Sequence, residues 1–176
     1  MKKIYDITII GSGLTGLTIG LALSSLGYKI ALVDPKPLFF KKNKYPDNRT
    51  TAISSGSVDF YKKIGIWKAL NKYACPIKKI LIEEISSETQ SSFKSDIKKT
   101  NPMGFMIENQ NLLKILINLT KKNKNIVKYN CKLLKYYRTN DRVLITLEKN
   151  NNIETKLIIG ADGRNSYLRK LANIKF

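Results

Sequence analysis

The 176-residue chain contains no histidine, only two cysteines and few acids: 13 Asp and Glu stand against 32 Lys and Arg. Without histidine there is no Ser-His-Asp or Cys-His nucleophilic arrangement, and a transition-metal site loses its commonest ligand. Cys75 and Cys131 form no C-x-x-C pair and carry no metal-ligand spacing, so they are expected to be core or half-buried thiols in a reducing compartment. No apolar run is long enough to cross a bilayer, and Asp6 and a glycine turn interrupt the N-terminal apolar stretch before it can act as a signal peptide. The expected location is cytoplasmic. The net charge of +19 is spread over scattered pairs such as Lys41-Lys42, Lys62-Lys63 and Lys98-Lys99. That is a bias on solvated faces and not a nucleic-acid site; peripheral contact with an anionic membrane suits it better.

What is present begins at the N-terminus. Ile4 to Ile10 is an apolar, β-branched run, Gly11-Ser12-Gly13-Leu14-Thr15-Gly16 fits G-x-G-x-x-G, and Lys29 to Val33 is a second apolar run ending at Asp34. Strand, glycine turn, helix and second strand in this order form a dinucleotide-binding signature. Gly11 allows the tight turn, and Gly13, lacking a Cβ, lets a pyrophosphate approach the main chain at a helix N-terminus, where unpaired N–H groups and the helix dipole hold an anion. Gly16 and Gly20, one turn apart, would let the helix press on the strands beneath it, and Gly27 sits where a left-handed cap would end it. Asp34 can accept hydrogen bonds from both ribose hydroxyls of an adenosine and would repel a 2′-phosphate, which selects FAD or NAD over NADP.

Further along, Pro35 to Thr51 is expected to be a loop. Ala52 to Tyr73 is expected to be helical in two pieces broken at Gly65, with Trp67 in the core. Ile80 to Ile85 and Gly104 to Ile107 alternate as strands, with a hairpin or loop over Ser86 to Asn101. Asn111 to Lys121 has the periodicity of an amphipathic helix, and Ile126 to Tyr129 is a short strand after it. Leu133 to Arg138 and Val143 to Glu148 belong to a meander with turns at Asn140-Asp141 and Asn150 to Asn152. Lys156 to Ile159 is a last strand, running into Gly160-Ala161-Asp162-Gly163-Arg164-Asn165-Ser166 and a terminal helix. Taken alone, that segment could be an Asp/Gly turn capping a helix; beside the first motif it resembles a second strand-turn-helix contact with a cofactor.

With these motifs the sequence resembles the class A FAD-dependent aromatic monooxygenases, of the ubiquinone-biosynthesis hydroxylase type. The resemblance rests on Gly11 to Gly16, Asp34, Asp47 to Ser54 with Gly65-Ile66-Trp67, Gly104 to Asn109, and Gly160 to Ser166. It implies an α/β, Rossmann-like FAD/NAD(P)-binding fold with a βαβ N-terminus, a three-stranded antiparallel meander and part of a mixed substrate-domain sheet. Residues 1–75 and 109–176 would form the FAD-binding domain and 76–108 an inserted part of the substrate sheet.

The same resemblance implies FAD as cofactor and NAD(P)H as co-substrate, with O2 and an aromatic or polyprenylated quinone precursor as the other reactants. Gly11, Ser12, Gly13 and Gly16 would hold the pyrophosphate and Asp34 the ribose. Arg49 would face the cofactor, Gln110 would approach it from the following helix, and the Asp162-Gly163 turn would contact flavin and NAD(P)H. Arg49 can equally be a loop arginine and Gln110 a solvent-facing helix residue, since family members commonly carry arginine there. No residue stands out as a catalytic acid or base, and no metal site is expected. The family's third motif, a Gly-Asp turn, is not in this sequence, so the fold is expected to be incomplete at the C-terminus and without hydroxylase turnover alone. Peripheral contact with the inner membrane or a quinone-biosynthesis complex would suit an apolar substrate. The competing readings are another FAD-dependent oxidase or reductase, and a truncated nucleotide-binding or interaction module.

Overall fold

The computed structural model describes residues 3–39, 48–83, 90–94 and 102–175. In chain order the elements are β1 (Lys3–Ile10), α1 (Leu14–Ser25), β2 (Ile30–Val33), β3 (Thr50–Ser54), α2 (Ser55–Lys63), α3 (Trp67–Leu70), β4 (Cys75–Ile77), β5 (Lys79–Glu83), β6 (Gln90–Lys94) and β7 (Gly104–Glu108). There follow α4 (Asn109–Lys122), β8 (Ile126–Tyr129), β9 (Leu133–Arg138), β10 (Val143–Leu147), β11 (Asn151–Gly160) and α5 (Tyr167–Leu171). The chain packs as two compact units, Met1–Lys41 with Leu116–Phe176, and Lys42–Ile115. The second unit is therefore broader than the 76–108 segment marked out in the sequence.

The first unit is built on a six-stranded sheet in the order β8-β2-β1-β11-β10-β9. β1, β2 and β8 run parallel, as a strand-helix-strand crossover requires. β2 is buried at all four positions, which is why it appears in the sequence as an uninterrupted Ile-Ala-Leu-Val run without polar alternation. α1 is closed by a Schellman cap: Gly27 has φ +89°, its N–H donates to the Ser24 carbonyl at 3.0 Å, and Tyr28 N–H donates to the Leu23 carbonyl at 3.4 Å. The meander is β9-β10-β11, antiparallel throughout. On the meander side of the sheet a core of Ile10, Val33, Leu133, Ile145, Leu147 and Ile153 is at most 6% exposed.

β11 is longer than the sequence suggests. The expected strand over Lys156 to Ile159 and the third strand of the meander are one ten-residue element, antiparallel to β10 through Asn151 to Thr155 and parallel to β1 from Ile153 to Gly160. The turn before it takes in Glu148, Lys149 and Asn150, the last two with φ +62° and +56°, and Leu147 pairs with Asn151, so Asn151 already belongs to β11.

In the second unit β7 lies between β3 and β4 in a three-stranded antiparallel sheet, and β5 pairs with β6. Ala52 to Ser54 is strand and not helix: the β-branched Thr50-Thr51-Ala52-Ile53 run pairs with Gly104 to Glu108, and Ser54 is the N-cap of α2, its hydroxyl accepting Ser57 N–H at 3.3 Å. The break at Gly65 is present, with φ +74°. Trp67 is buried against Phe105, ring centroids 5.0 Å apart. Of the two thiols Cys131 is buried, whereas Cys75 is exposed on the three-residue strand β4.

Thr8 on β1 is completely buried, and its hydroxyl has no hydrogen-bond partner among the described residues. Thr8→Val removes that unmatched polar atom while keeping the branched shape, and is expected to raise the unfolding free energy by about 1 kcal/mol. A denaturant midpoint that stays put or falls would contradict this.

Candidate functional site

Main-chain hydrogen bonds continue past the carboxyl ends of four parallel strands. Asp34 N–H donates to the Tyr129 carbonyl at 3.1 Å, Gly11 N–H to the Val33 carbonyl at 2.7 Å, and Ala161 N–H to the Ile10 carbonyl at 2.7 Å. The chain leaves β1 toward β2 and β8 on one side while β11 pairs with β1 on the other. The ends of β1 and β11 are thus a topological switch point, the place where open α/β sheets take their ligands.

Two glycines make the turns meet there. Gly11 has φ +105°, and a Cβ on it would lie 2.3 Å from the Ala161 carbonyl oxygen. A Cβ on Gly16 would lie 2.0 Å from the Gly11 carbonyl oxygen. Gly20, by contrast, would make only ordinary contacts, at 3.6 Å from Ile9 and 3.8 Å from Ile126, so close helix approach depends on Gly16 and not on Gly20. Gly13 differs from all of them: it is exposed, it is the N-cap of α1 with no side-chain cap, and nothing lies within 4 Å of where its Cβ would be.

Asp34 is held from two directions. Its Oδ2 accepts Ser12 N–H at 2.8 Å and its Oδ1 accepts Lys36 N–H at 2.8 Å. A carboxylate has about four lone-pair positions, so two stay available to a ligand. Behind it, Lys128 on β8 donates from Nζ to the Asp34 carbonyl at 2.5 Å and to the Tyr129 carbonyl at 3.0 Å. Burial pulls the Lys128 ammonium down to about 8, against the opposing attraction of Asp34. Burial also pushes the Cys131 thiol up, so it stays neutral and is a poor nucleophile at physiological pH. The Tyr129 hydroxyl is likewise pushed up by burial and by its 2.7 Å hydrogen bond with Tyr5.

Asp162 is occupied within its own turn: Oδ1 accepts the Ser166 hydroxyl at 2.5 Å, and Oδ2 accepts Tyr167 N–H at 2.7 Å and Leu168 N–H at 3.1 Å. It caps the start of α5, while Gly163 turns the chain with φ +86°. A cavity of about 740 Å³ opens between these loops, lined by Gly11, Gly13, Asp34, Asp162 and Gly163 together with Lys36, Cys131, Lys132, Glu148 and Tyr167. Five of the residues singled out in the sequence therefore share one wall; Ser12 braces Asp34, and Gly16 closes the turn from behind. Arg49 and Gln110 belong to the other compact unit, where the Arg49 carbonyl accepts Asn109 N–H at 2.9 Å and Gln110 Nε2 donates to Glu108 at 3.1 Å. Asp47 lies outside the described residues. Among the described residues no cluster of His, Cys, Asp or Glu could hold a metal ion, and no helix is long and apolar enough to cross a membrane.

A model of the FAD binding domain family matches residues 4–176, and the chain belongs to that family. It is 34% identical to the mitochondrial ubiquinone biosynthesis monooxygenase COQ6 of Schizosaccharomyces pombe, over 99% of this chain and 40% of that protein. It is 29% identical to the 3-demethoxyubiquinol 3-hydroxylase of Escherichia coli, over 96% of this chain and 44% of the relative. The ubiquinone hydroxylase UbiL of Rhodospirillum rubrum is also 29% identical, over 98% of this chain and 40% of its own length. The chain thus spans about 40% of the length of these curated relatives. Among solved structures, p-nitrophenol 4-monooxygenase PnpA from Pseudomonas putida DLL-E4 superposes with a TM-score of 0.78 at 15% identity, over all of this chain and 45% of the other. The flavin-dependent monooxygenase PieE, solved with FAD and substrate, gives 0.72 at 16% identity over 98% and 32%.

These findings bear out the kinship with class A flavoprotein monooxygenases and FAD as the nucleotide. An uncapped helix N-terminus, open space at Gly13 and a cavity of this size fit a dinucleotide on structural grounds as well. The sequence does not mark Lys128, Lys132 or Glu148 as site residues, and it marks Cys131 only as a core or half-buried thiol. A charged residue in the middle of Ile-Val-Lys-Tyr, a strand short enough to be buried, was the available signal for Lys128.

The glycines separate folding from binding. Gly13→Val is expected to keep its unfolding midpoint and lose FAD affinity at least about tenfold, whereas Gly16→Ala and Gly11→Ala are expected to lower the midpoint because a Cβ meets backbone. Thermal unfolding with flavin titration checks both; an unstable Gly13→Val or an unaffected Gly16→Ala would contradict the division.

Proposed function

We propose that the chain is the FAD-binding portion of a monooxygenase that hydroxylates an aromatic ring of a quinone precursor, with NAD(P)H as reductant and O2 as the oxygen source. The observation that carries this reading is the family match across residues 4–176, which takes in both turns that line the cavity. The COQ6, UbiL and 3-demethoxyubiquinol 3-hydroxylase relatives supply the reaction and substrate class of this reading.

In this reading Gly11, Ser12, Gly13 and Gly16 present main-chain N–H groups and open space to the pyrophosphate, and the α1 dipole favours its charge. The free lone pairs of Asp34 accept the adenosine ribose hydroxyls, and its charge disfavours a 2′-phosphate. The capped turn at Asp162 and Gly163 lines the same cavity, with Asp162 acting through its fixed geometry because its oxygens are already bonded. The same reading assigns Arg49 and Gln110 to cofactor binding and residues 76–108 to the substrate-binding sheet. FAD, when bound, supplies the electron and oxygen chemistry; the protein positions it and shields it from water. An apolar polyprenylated substrate would bring the protein to the cytoplasmic face of the inner membrane or into a quinone-biosynthesis complex. Because the chain spans about 40% of its relatives, no hydroxylase turnover is expected from these 176 residues alone.

Titration of the purified chain with FAD, NAD and NADP should give tightest binding for FAD, and Asp34→Ala should weaken it about tenfold or more, given that a hydrogen bond to a charged group is worth roughly 1.5–3 kcal/mol. Equal affinity for NADP, or an Asp34→Ala variant that binds FAD as the parent does, would overturn the assignment of the adenosine site.

A further inference from the structure

β8 is an edge strand of the sheet, yet it carries a lysine whose long side chain turns inward along the sheet's end instead of out to solvent. Lys128 pairs in register with Leu32 of β2, and its Nζ reaches past the strand end to the main-chain oxygens of Asp34 and Tyr129. Asp34 N–H is bonded to that same Tyr129 carbonyl. Two carbonyls, one at the end of each of two adjacent strands, therefore converge on one ammonium at the point where β2 stops and the acid begins. From there the Asp34 side chain extends the opposite way, to Ser12 and Lys36 N–H.

We propose that Lys128 is a positioning residue for the adenosine end of the nucleotide site: its protonated ammonium ties Asp34 to the end of β8, aims the carboxylate at the glycine turn, and loosens that hold when the proton is lost. This rests on Asp34 being the ribose-binding acid. The charged form matters because a hydrogen bond from an ammonium to a carbonyl is about twice as strong as one from a neutral amine, and because the positive charge also offsets Asp34. The proton is held weakly enough to leave in an accessible range, since burial brings this lysine down to about 8. The groups that bear on it are Asp34 at the end of β2, which favours the charged form, and the Cys131 thiol just after β8, whose ionised form would do the same. Lys36 in the turn after β2 contributes its N–H to Asp34. α1, which also packs on β8, has no charged side chain between Leu14 and Ser25.

The sign follows from linkage. A bound dinucleotide that uses the aimed carboxylate favours protonated Lys128, so binding raises the lysine's pKa, and affinity is greatest below about pH 8 and falls as pH rises through it. The test is FAD affinity by flavin fluorescence from pH 6.5 to 9.5 for the full chain, Lys128→Met and Lys128→Arg, with Asp34→Asn alongside. The parent is expected to lose about fivefold in affinity across pH 8, Lys128→Met to show the weaker affinity at every pH with no step, and Lys128→Arg to bind tightly throughout, because a guanidinium keeps its charge over this range. The comparison of parent with Lys128→Arg stands even where Lys128→Met does not fold. An identical pH profile in the parent and Lys128→Arg, with Asp34→Asn impaired, would overturn the role of Lys128 and leave Asp34 in place. Unchanged binding by Asp34→Asn would overturn the adenosine-site assignment itself, and the role of Lys128 with it.

Discussion

The candidate site depends on one steric fact: two turns touch backbone to backbone, and only glycine permits it. The carbonyls of Ala161 and Gly11 occupy the positions that Cβ atoms on Gly11 and Gly16 would take. Because of that contact, the ends of β1 and β11 sit close enough for the G-x-G-x-x-G turn and the Asp162-Gly163 turn to face one cavity. Filling either glycine would push apart the elements on which the cavity rests. Gly13 has no such duty in the fold and is free to serve a ligand.

β11 gives this contact its long-range meaning. The strand is antiparallel to the meander at its start and parallel to β1 at its end. It therefore joins the local hairpin architecture of β9 and β10 to the crossover architecture of β1, α1 and β2, and it delivers Ala161 to Gly11. The buried core of Ile10, Val33, Leu147 and Ile153 draws on strands from both parts. Apolar burial over that many side chains supplies the driving force, while the glycine contact fixes where the loops end up.

What was legible in the sequence was what local backbone chemistry decides. The turn at Gly11, the open space at Gly13, the stop at Gly27 and the acid after β2 follow from spacing and from what a glycine or a helix terminus permits. Residues whose role arises from pairing across the sheet were harder. Ala52 to Ser54 looked helical because its partner β7 lies some fifty residues away in the chain. β11 looked like two strands because its two neighbours differ in direction. The resemblance assigns Asp162 a cofactor contact, and in the fold it lines the cavity while its carboxylate accepts hydrogen bonds from Ser166 and the start of α5. Lys128 gave a weak signal, since only the pairing of β8 with β2 brings it to Asp34. Gly16 and Gly20 looked equivalent by spacing, and only the positions of Ile9 and Gly11 tell them apart.

In the proposed reading the two turns form one FAD site. Amide hydrogen exchange on the full chain with and without FAD tests it most directly, because it reports both turns in one experiment. Joint slowing of exchange at Gly11 to Leu14 and at Ala161 to Asn165, with little change along β9 and β10, is the expected result. Protection of the first turn without the second, or protection confined to the unit from Lys42 to Ile115, would contradict it.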